Sequence, residues 1–297
     1  MDRHQGLRSQ SRLQKVEASA TTTNWIGLPL PKALRYNTPV AASRFHSALG
    51  RVKHVPALAW QGFNQLLWPA VCDICNEAIC DTDRHLCPKC WSELLTCAAG
   101  DYCPRCGRDA SRYGLVGGAC GACQNEEIHF DGIARVGVYA DALQRMILAF
   151  KHDHSELAAA LAPLADAALQ GSSFGDEVDL LVPVPLHWTR RLRRGYNQSH
   201  LLARRLHHSR ARISTDLVRA RRTHAQPQMA TPAARARNVA GAFVVRDKHD
   251  FGGKAVCLVD DIKTSGATLN ECAKTLKEAG AVKVYALVLA VAGQKML

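Results

Sequence analysis

Residues Val256 to Thr268 read V-C-L-V-D-D-I-K-T-S-G-A-T, bringing two carboxylates, three hydroxyls and a glycine into a span short enough to share one ligand. The apolar run predicts a buried strand over Ala255–Val259 that delivers Asp260 and Asp261 to the carboxyl edge of a parallel sheet, where open α/β folds bind ligands. The chain then turns through Thr264, Ser265 and Gly266 into a helix. First-turn amides and hydroxyls there make a phosphate cradle spanning Thr264, Ser265, Gly266, Ala267 and Thr268, and the glycine lets the backbone approach closely. Two acids beside such a cradle suit a sugar phosphate. The acids take vicinal ribose hydroxyls, or a magnesium ion bridging them, and the cradle takes the 5-phosphate. A strand-turn-helix capped by Asp and Thr, or a phosphate-accepting receiver domain, would use similar residues. A P-loop ATPase is excluded, since no G-x-x-x-x-G-K-[ST] occurs.

Two further segments belong to the same chemistry. In Leu181–Gln198, a strand ending at Pro183 and Pro185 precedes Arg190, Arg191, Arg193 and Arg194 in a predicted basic loop. Arginine forks grip phosphate oxygens bidentately, so Arg190 and Arg194 are candidates to hold a departing pyrophosphate; a solvated basic turn is the alternative. Thr223–Phe243 reads as a long irregular loop, and loops beyond about 12–15 residues are often lids that exclude water.

The other chemistry-bearing cluster is sulfur. Ten of twelve cysteines fall between Cys72 and Cys123, eight of them as Cys72/Cys75, Cys87/Cys90, Cys103/Cys106 and Cys120/Cys123. Two residues between thiolates let one tight turn present both sulfurs to a tetrahedral ion, and two turns complete the site. Two structural zinc sites follow, one per consecutive pair of pairs, although a cross-braced pairing would use the same eight residues. Gly107 and Gly121 are expected to supply positive φ in the knuckles. Cys80, Cys97 and His85 read as packing or surface residues. A disulfide framework would need an oxidising compartment, and a redox motif has no reason to occur four times.

These residues require a frame. The chain has 297 residues, 47% hydrophobic and 22% charged, which excludes a disordered or fibrous protein. Of the net charge of +12, residues 1–60 carry +7, from nine Lys/Arg against two acids, so charge alone identifies no nucleic-acid partner. Residues 1–54, acid-poor and without apolar period, are expected to form a disordered basic arm. Neither a membrane span nor a secretory h-region of about 7–15 apolar residues is found, so the cytoplasm is the expected compartment. A short helix over Ala57–Trp68 leads into the cysteine block, giving a helix-plus-ribbon module over 55–126. From 127 to 297 strand and helix signals alternate: strands at Ile133–Tyr139, Leu180–Val184, Phe243–Val245, Ala255–Val259 and Val282–Val291, helices at Leu143–Phe150, Leu157–Leu169, Gln198–Leu206 and Thr268–Ala279. That alternation predicts an α/β domain with a mostly parallel sheet and flanking helices.

The segment V-D-D-I-K-T-S-G-A-T resembles the phosphoribosyl pyrophosphate (PRPP) motif of type I phosphoribosyltransferases. With L-L-W-P-A-V-C-D-I-C, the paired cysteines, F-K-H at Phe150–His152, R-R-G-Y-N-Q, T-H-A-Q and R-A-R-N-V-A-G-A-F, the chain from about residue 62 is similar to the ComF family of competence and GntX-like proteins. Ser265 stands where many relatives have Thr, and Lys263 is a charged choice at a variable position. The resemblance implies a double zinc ribbon fused to a phosphoribosyltransferase domain and an association with DNA uptake in natural transformation.

Two functions from different classes are therefore carried forward. One is transfer of a phosphoribosyl group from PRPP, with magnesium, to an acceptor the sequence does not name, Asp260 and Asp261 orienting the ribose. The other is a non-catalytic accessory module whose zinc ribbons and arginines grip single-stranded DNA or a DNA-uptake helicase, with Trp91, Tyr102 and Tyr113 available for base stacking and the PRPP pocket regulatory or vestigial.

Overall fold

The structure, a computed structural model, describes residues 70–79, 86–152, 154–207, 211–221, 223, 231–246 and 251–293, together with the backbone but not the side chains of Arg190, Arg191 and Arg193. The expected N-terminal arm and the helix at Ala57–Trp68 lie outside the described residues.

Five parallel strands form the frame. They are β3 (Gly132–Val138), β4 (Leu180–Pro183), β5 (Arg212–Ile213), β8 (Ala255–Lys263) and β9 (Lys283–Val291), in the order β3-β9-β8-β4-β5. Apart from the short, exposed edge strand β5, they are mostly apolar, as strands covered on both faces must be; Val256, Cys257, Leu258 and Val259 are fully excluded from solvent. One face packs against α2 (Asp141–Lys151), α3 (Leu157–Gln170) and α5 (Gln198–Ala203). The other carries α7 (Ala267–Glu278), α6 (Pro232–Val239) and an antiparallel hairpin of β6 (Leu217–Arg219) with β7 (Phe243–Val245). Helix α7 ends at Gly280, whose φ of +94° suits glycine.

Three sequence expectations need correction here. β8 does not stop at Val259 but continues through both acids to Lys263, because β9 offers partners all the way, Asp260 opposite Val288 and Lys263 opposite Val291. The basic loop is a short helix, α4 (Trp188–Arg194), started by the His187 ring accepting the Thr189 amide and closed by Gly195 at φ +76°. The irregular segment Thr223–Phe243 is interrupted by α6, which has Thr231 as its N-cap, accepting the Ala234 amide, and Pro232 in its first turn. Residues 224–230 of that segment lie outside the described residues.

The cysteine module precedes the sheet: α1 (Pro88–Ala98), then a small hairpin of β1 (Leu115–Val116) and β2 (Ala119–Cys120). It is built onto the sheet's edge strand. The Ile133 amide donates to the Pro104 carbonyl at 2.8 Å, and Gly137 passes so close to the Cys97 backbone that a Cβ would sit 2.5 Å from its carbonyl oxygen. Arg135, almost wholly buried, donates to the Gly107 carbonyl, pairs with Asp109 and lies over the Tyr102 ring. Cys97 is a buried packing residue whose thiol lies 3.4 Å from the Ala140 carbonyl, as expected for a spare cysteine; Cys80 and His85 lie outside the described residues.

Candidate functional site

Two strand exits and the end of α2 meet at the carboxyl edge of the sheet. β4 and β8 are parallel neighbours, so the chain leaving β4 toward Arg194 and the chain leaving β8 toward Gly266 emerge side by side. The two acids take their side-chain partners from α5 and the end of α2. Asp260 accepts the Ser199 hydroxyl at 3.0 Å and the Asp261 amide at 2.9 Å; Asp261 meets the Lys151 ammonium at 3.1 Å. Their support is layered. Tyr196 donates its hydroxyl to the Phe150 carbonyl at 2.6 Å, and Asn197 donates to the Val184 carbonyl while its own side chain caps α5. The R-R-G-Y-N-Q-S stretch thus fastens α2 and β4 around the acids.

Burial pushes the Asp260 carboxyl up to about 7, and the charge of Asp261 adds to the rise; the Asp261 amide, Ser199 and Lys151 oppose it. Two neighbouring acids, one already reluctant to ionise, suit a cation or a set of sugar hydroxyls. Beyond them, Thr264 is exposed and Ser265 to Thr268 are partly so. The Ala267 amide approaches the Ser265 hydroxyl at 3.4 Å, and Gly266 holds φ +80° as the N-cap of α7. The first amides of such a helix have no intrahelical partner and attract an anion. The bend is therefore open and ringed by donors.

Of the predicted site residues, the structure brings Asp260, Asp261 and the Thr264–Thr268 bend together on one edge. Arg194 donates to the Gln198 side chain at 3.2 Å at the base of α5; the Arg190 side chain lies outside the described ones. Sequence reasoning missed Ser199 and Lys151 as partners of the acids. The F-K-H motif signalled Lys151, but nothing local said what it would touch.

The eight paired cysteines form two clusters, Cys72/Cys75/Cys87/Cys90 and Cys103/Cys106/Cys120/Cys123, each with all sulfurs within 4.8 Å of one another. Pairing is consecutive, not cross-braced. Close sulfur pairs lie 3.6–3.7 Å apart, against about 3.8 Å for the edge of a tetrahedron with Zn–S of about 2.3 Å. The donor set and its spacing fit zinc. The two first knuckles repeat one geometry. The amides of Cys72 and Cys103 donate to Glu77 and Arg108, and those of Asn76 and Gly107 return to the Cys72 and Cys103 carbonyls. Asn76 and Gly107 both take positive φ there, 59° and 78°; Gly121, expected to do so, does not. The second halves differ, Cys87 capping α1 and Cys120 lying in β2. In each cluster the leading thiol of the first knuckle has a lowered pKa. Burial pushes the Cys72 and Cys103 thiols up, but three backbone amides aimed at each sulfur outweigh it and hold both at about 7, whereas burial and neighbouring sulfurs drive Cys90 to about 12. An ion with four thiolate ligands would deprotonate all four sulfurs and abolish that difference.

The aromatic candidates divide. Tyr113 is 92% exposed, but Tyr102 is occupied by Arg135 and Trp91 packs on the core; the exposed Trp188, at 65%, was not anticipated. Among the described residues no helix is long and apolar enough to cross a membrane.

Two family models agree with this architecture. Residues 63–124 match the double zinc ribbon domain and residues 153–296 the phosphoribosyl transferase domain. Competence protein F of Haemophilus influenzae is 29% identical over 222 residues, covering 72% of this chain and 93% of its own. DNA utilization protein YhgH of Salmonella typhimurium is 31% identical, covering 73% and 94%. Competence protein ComFC of Bacillus subtilis is 27% identical, covering 67% and 80%. Among solved structures, a purine phosphoribosyltransferase from Pyrococcus horikoshii matches 46% of this chain and 85% of its own, at 15% identity and a TM-score of 0.26.

Proposed function

Because this chain belongs to the ComF family, whose relatives include competence protein F and ComFC, we propose that it binds PRPP with magnesium and transfers the phosphoribosyl group to an acceptor in the uptake or use of DNA. The observation that carries this reading is the joint placement of Asp260 and Asp261, held by Ser199 and Lys151, beside the Gly266 bend.

Breaking the bond between the anomeric carbon and pyrophosphate builds positive charge on the ribose and negative charge on the leaving group. Asp260 and Asp261 orient the ribose through its hydroxyls and face the developing cation. The amides and hydroxyls of Thr264 to Thr268 hold the 5-phosphate, while Arg190 and Arg194 of α4 meet the pyrophosphate. Magnesium at the acids would neutralise pyrophosphate oxygens as a Lewis acid. The zinc ribbons are structural, since four-sulfur sites leave no open position, and their unpaired thiols suit a reducing cytoplasm. We place the division between ribbon module and transferase domain near residue 126.

Calorimetry with PRPP and magnesium tests the reading. The full chain binds; the variant carrying Asp260→Asn and Asp261→Asn does not, although its circular dichroism stays native. Equal affinities would remove the proposed site. Pyrophosphate release with a panel of bases and nucleotides then identifies the acceptor.

The exposed rings of Tyr113 and Trp188 favour a second, accessory role in gripping single-stranded DNA, or a helicase that handles it. Filter binding at two salt concentrations tests it, and no retention at low salt would eliminate it.

A further inference from the structure

Lys263 stands between the acids and the bend as the last residue of β8, and it is only 4% exposed. Its side chain runs beneath Gly266. A Cβ added there would meet Lys263 Cε at 2.9 Å and Nζ at 3.5 Å, so the aliphatic stem fills the space that any other residue at 266 would need. The ammonium is thereby delivered to the underside of the bend that receives the phosphate in the reading above, on which this inference rests.

From the other side, the same ammonium lies within electrostatic reach of Cys106, Cys123, Glu126 and Arg108, all in or against the second four-sulfur cluster. Arg108 itself pairs with Glu126 at 2.7 Å and donates to the Ala122 carbonyl within the Cys120–Cys123 turn. Backbone contacts run in parallel. The Ala292 amide donates to the Lys263 carbonyl at 2.8 Å, and a Cβ at Gly107, directly after Cys106, would lie 3.1 Å from Val291. Burial lowers the proton affinity of Lys263, with the charge of Arg108 adding to this; the Cys106, Cys123 and Glu126 charges act to keep it protonated.

A divalent ion with four thiolates carries a net charge of about −2, whereas most thiols of an empty cluster are neutral. Filling the second site therefore changes the field on the one buried ammonium described between it and the bend. We infer that Lys263 is a positioning residue that couples the second zinc site to the phosphate-binding bend, the thiolate cluster holding the ammonium under Gly266. The charges with the largest influence on Lys263 come from the second cluster and the residues against it.

Coupling of this kind is reciprocal, so it can be read without turnover. The full chain, loaded with two zinc ions, is titrated with a chromophoric chelator in the presence and absence of saturating PRPP and magnesium. PRPP tightens one of the two zinc ions about tenfold and leaves the other unchanged. In Lys263→Met the chelator titration no longer responds to PRPP, and PRPP affinity by calorimetry falls about tenfold while two zinc ions and native circular dichroism are retained. Cys75→Ser, which disrupts the first site, leaves PRPP affinity unchanged. If PRPP binds the wild-type chain but alters neither zinc affinity, or if Lys263→Met responds as wild type does, the coupling is refuted. The wild-type titration decides this even where the variant fails to fold. A wild-type chain that binds no PRPP overturns the transferase reading itself, a result the calorimetry separates from loss of coupling.

Discussion

The Lys151 ammonium lies 3.1 Å from Oδ2 of Asp261, joining the last turn of α2 to the end of β8. Both side chains are largely buried, at 18% and 15% exposure, so the pair governs how much negative charge the site holds before a ligand arrives. Lys151→Met removes one of the influences that lower the Asp260 carboxyl. The pH midpoint of PRPP–magnesium binding, followed by calorimetry from pH 5.5 to 8.5, should move upward by roughly half to one unit.

Asp260 itself sets a pH dependence whose sign is definite. Its carboxyl is raised to about 7 in the folded chain, so affinity for a magnesium–PRPP complex should rise with pH through about 7 and level off above it. A raised carboxyl contributes stability that is fully present below the ordinary carboxylate range and lost as pH rises through about 7. Asp260→Asn should therefore gain in denaturant stability relative to wild type between pH 4.5 and pH 8. A constant difference across that range would contradict the burial argument.

The two sulfur clusters predict a metal count that separates pairing schemes. Cys75→Ser with Cys87→Ser changes two ligands of one cluster and none of the other. Native mass spectrometry should find one zinc per chain where wild type has two. A cross-braced arrangement would lose both.

Arg135 fastens the second ribbon to the edge strand through Gly107, Asp109 and the Tyr102 ring while almost wholly buried. Arg135→Met leaves the Gly107 carbonyl without that donor and Asp109 without its cation. Denaturant unfolding should register a loss of about 3 kcal/mol.

At Gly266, alanine meets two obstacles, the φ of +80° and the Lys263 stem 2.9 Å away. Gly266→Ala should lose about 1–2 kcal/mol of stability from backbone strain alone, together with at least tenfold in PRPP affinity. Adding Lys263→Ala clears the contact without relieving φ, so it should restore only part of the stability, as a double-mutant cycle would measure.

What could be read from the chain were features carried by neighbouring residues. Two residues between thiolates define a knuckle wherever it lies, and an apolar run followed by Asp260, Asp261 and the Thr264–Thr268 bend defines a strand edge and a helix start, because both depend on periodicity and turn chemistry within a dozen residues. The helices at Trp188–Arg194 and Pro232–Val239 escaped because runs of arginine and a Thr-Pro start looked like loop composition, while their caps at His187 and Thr231 act only once folded. Only the tertiary structure decided that Ser199 reaches Asp260 across 61 residues, that Lys151 rather than a nearer cation meets Asp261, and that Lys263 lies between a four-sulfur cluster and the Gly266 bend. Those contacts follow from which strands become neighbours and which face each side chain takes, and that choice is made by burying the whole sheet at once, which no local spacing encodes.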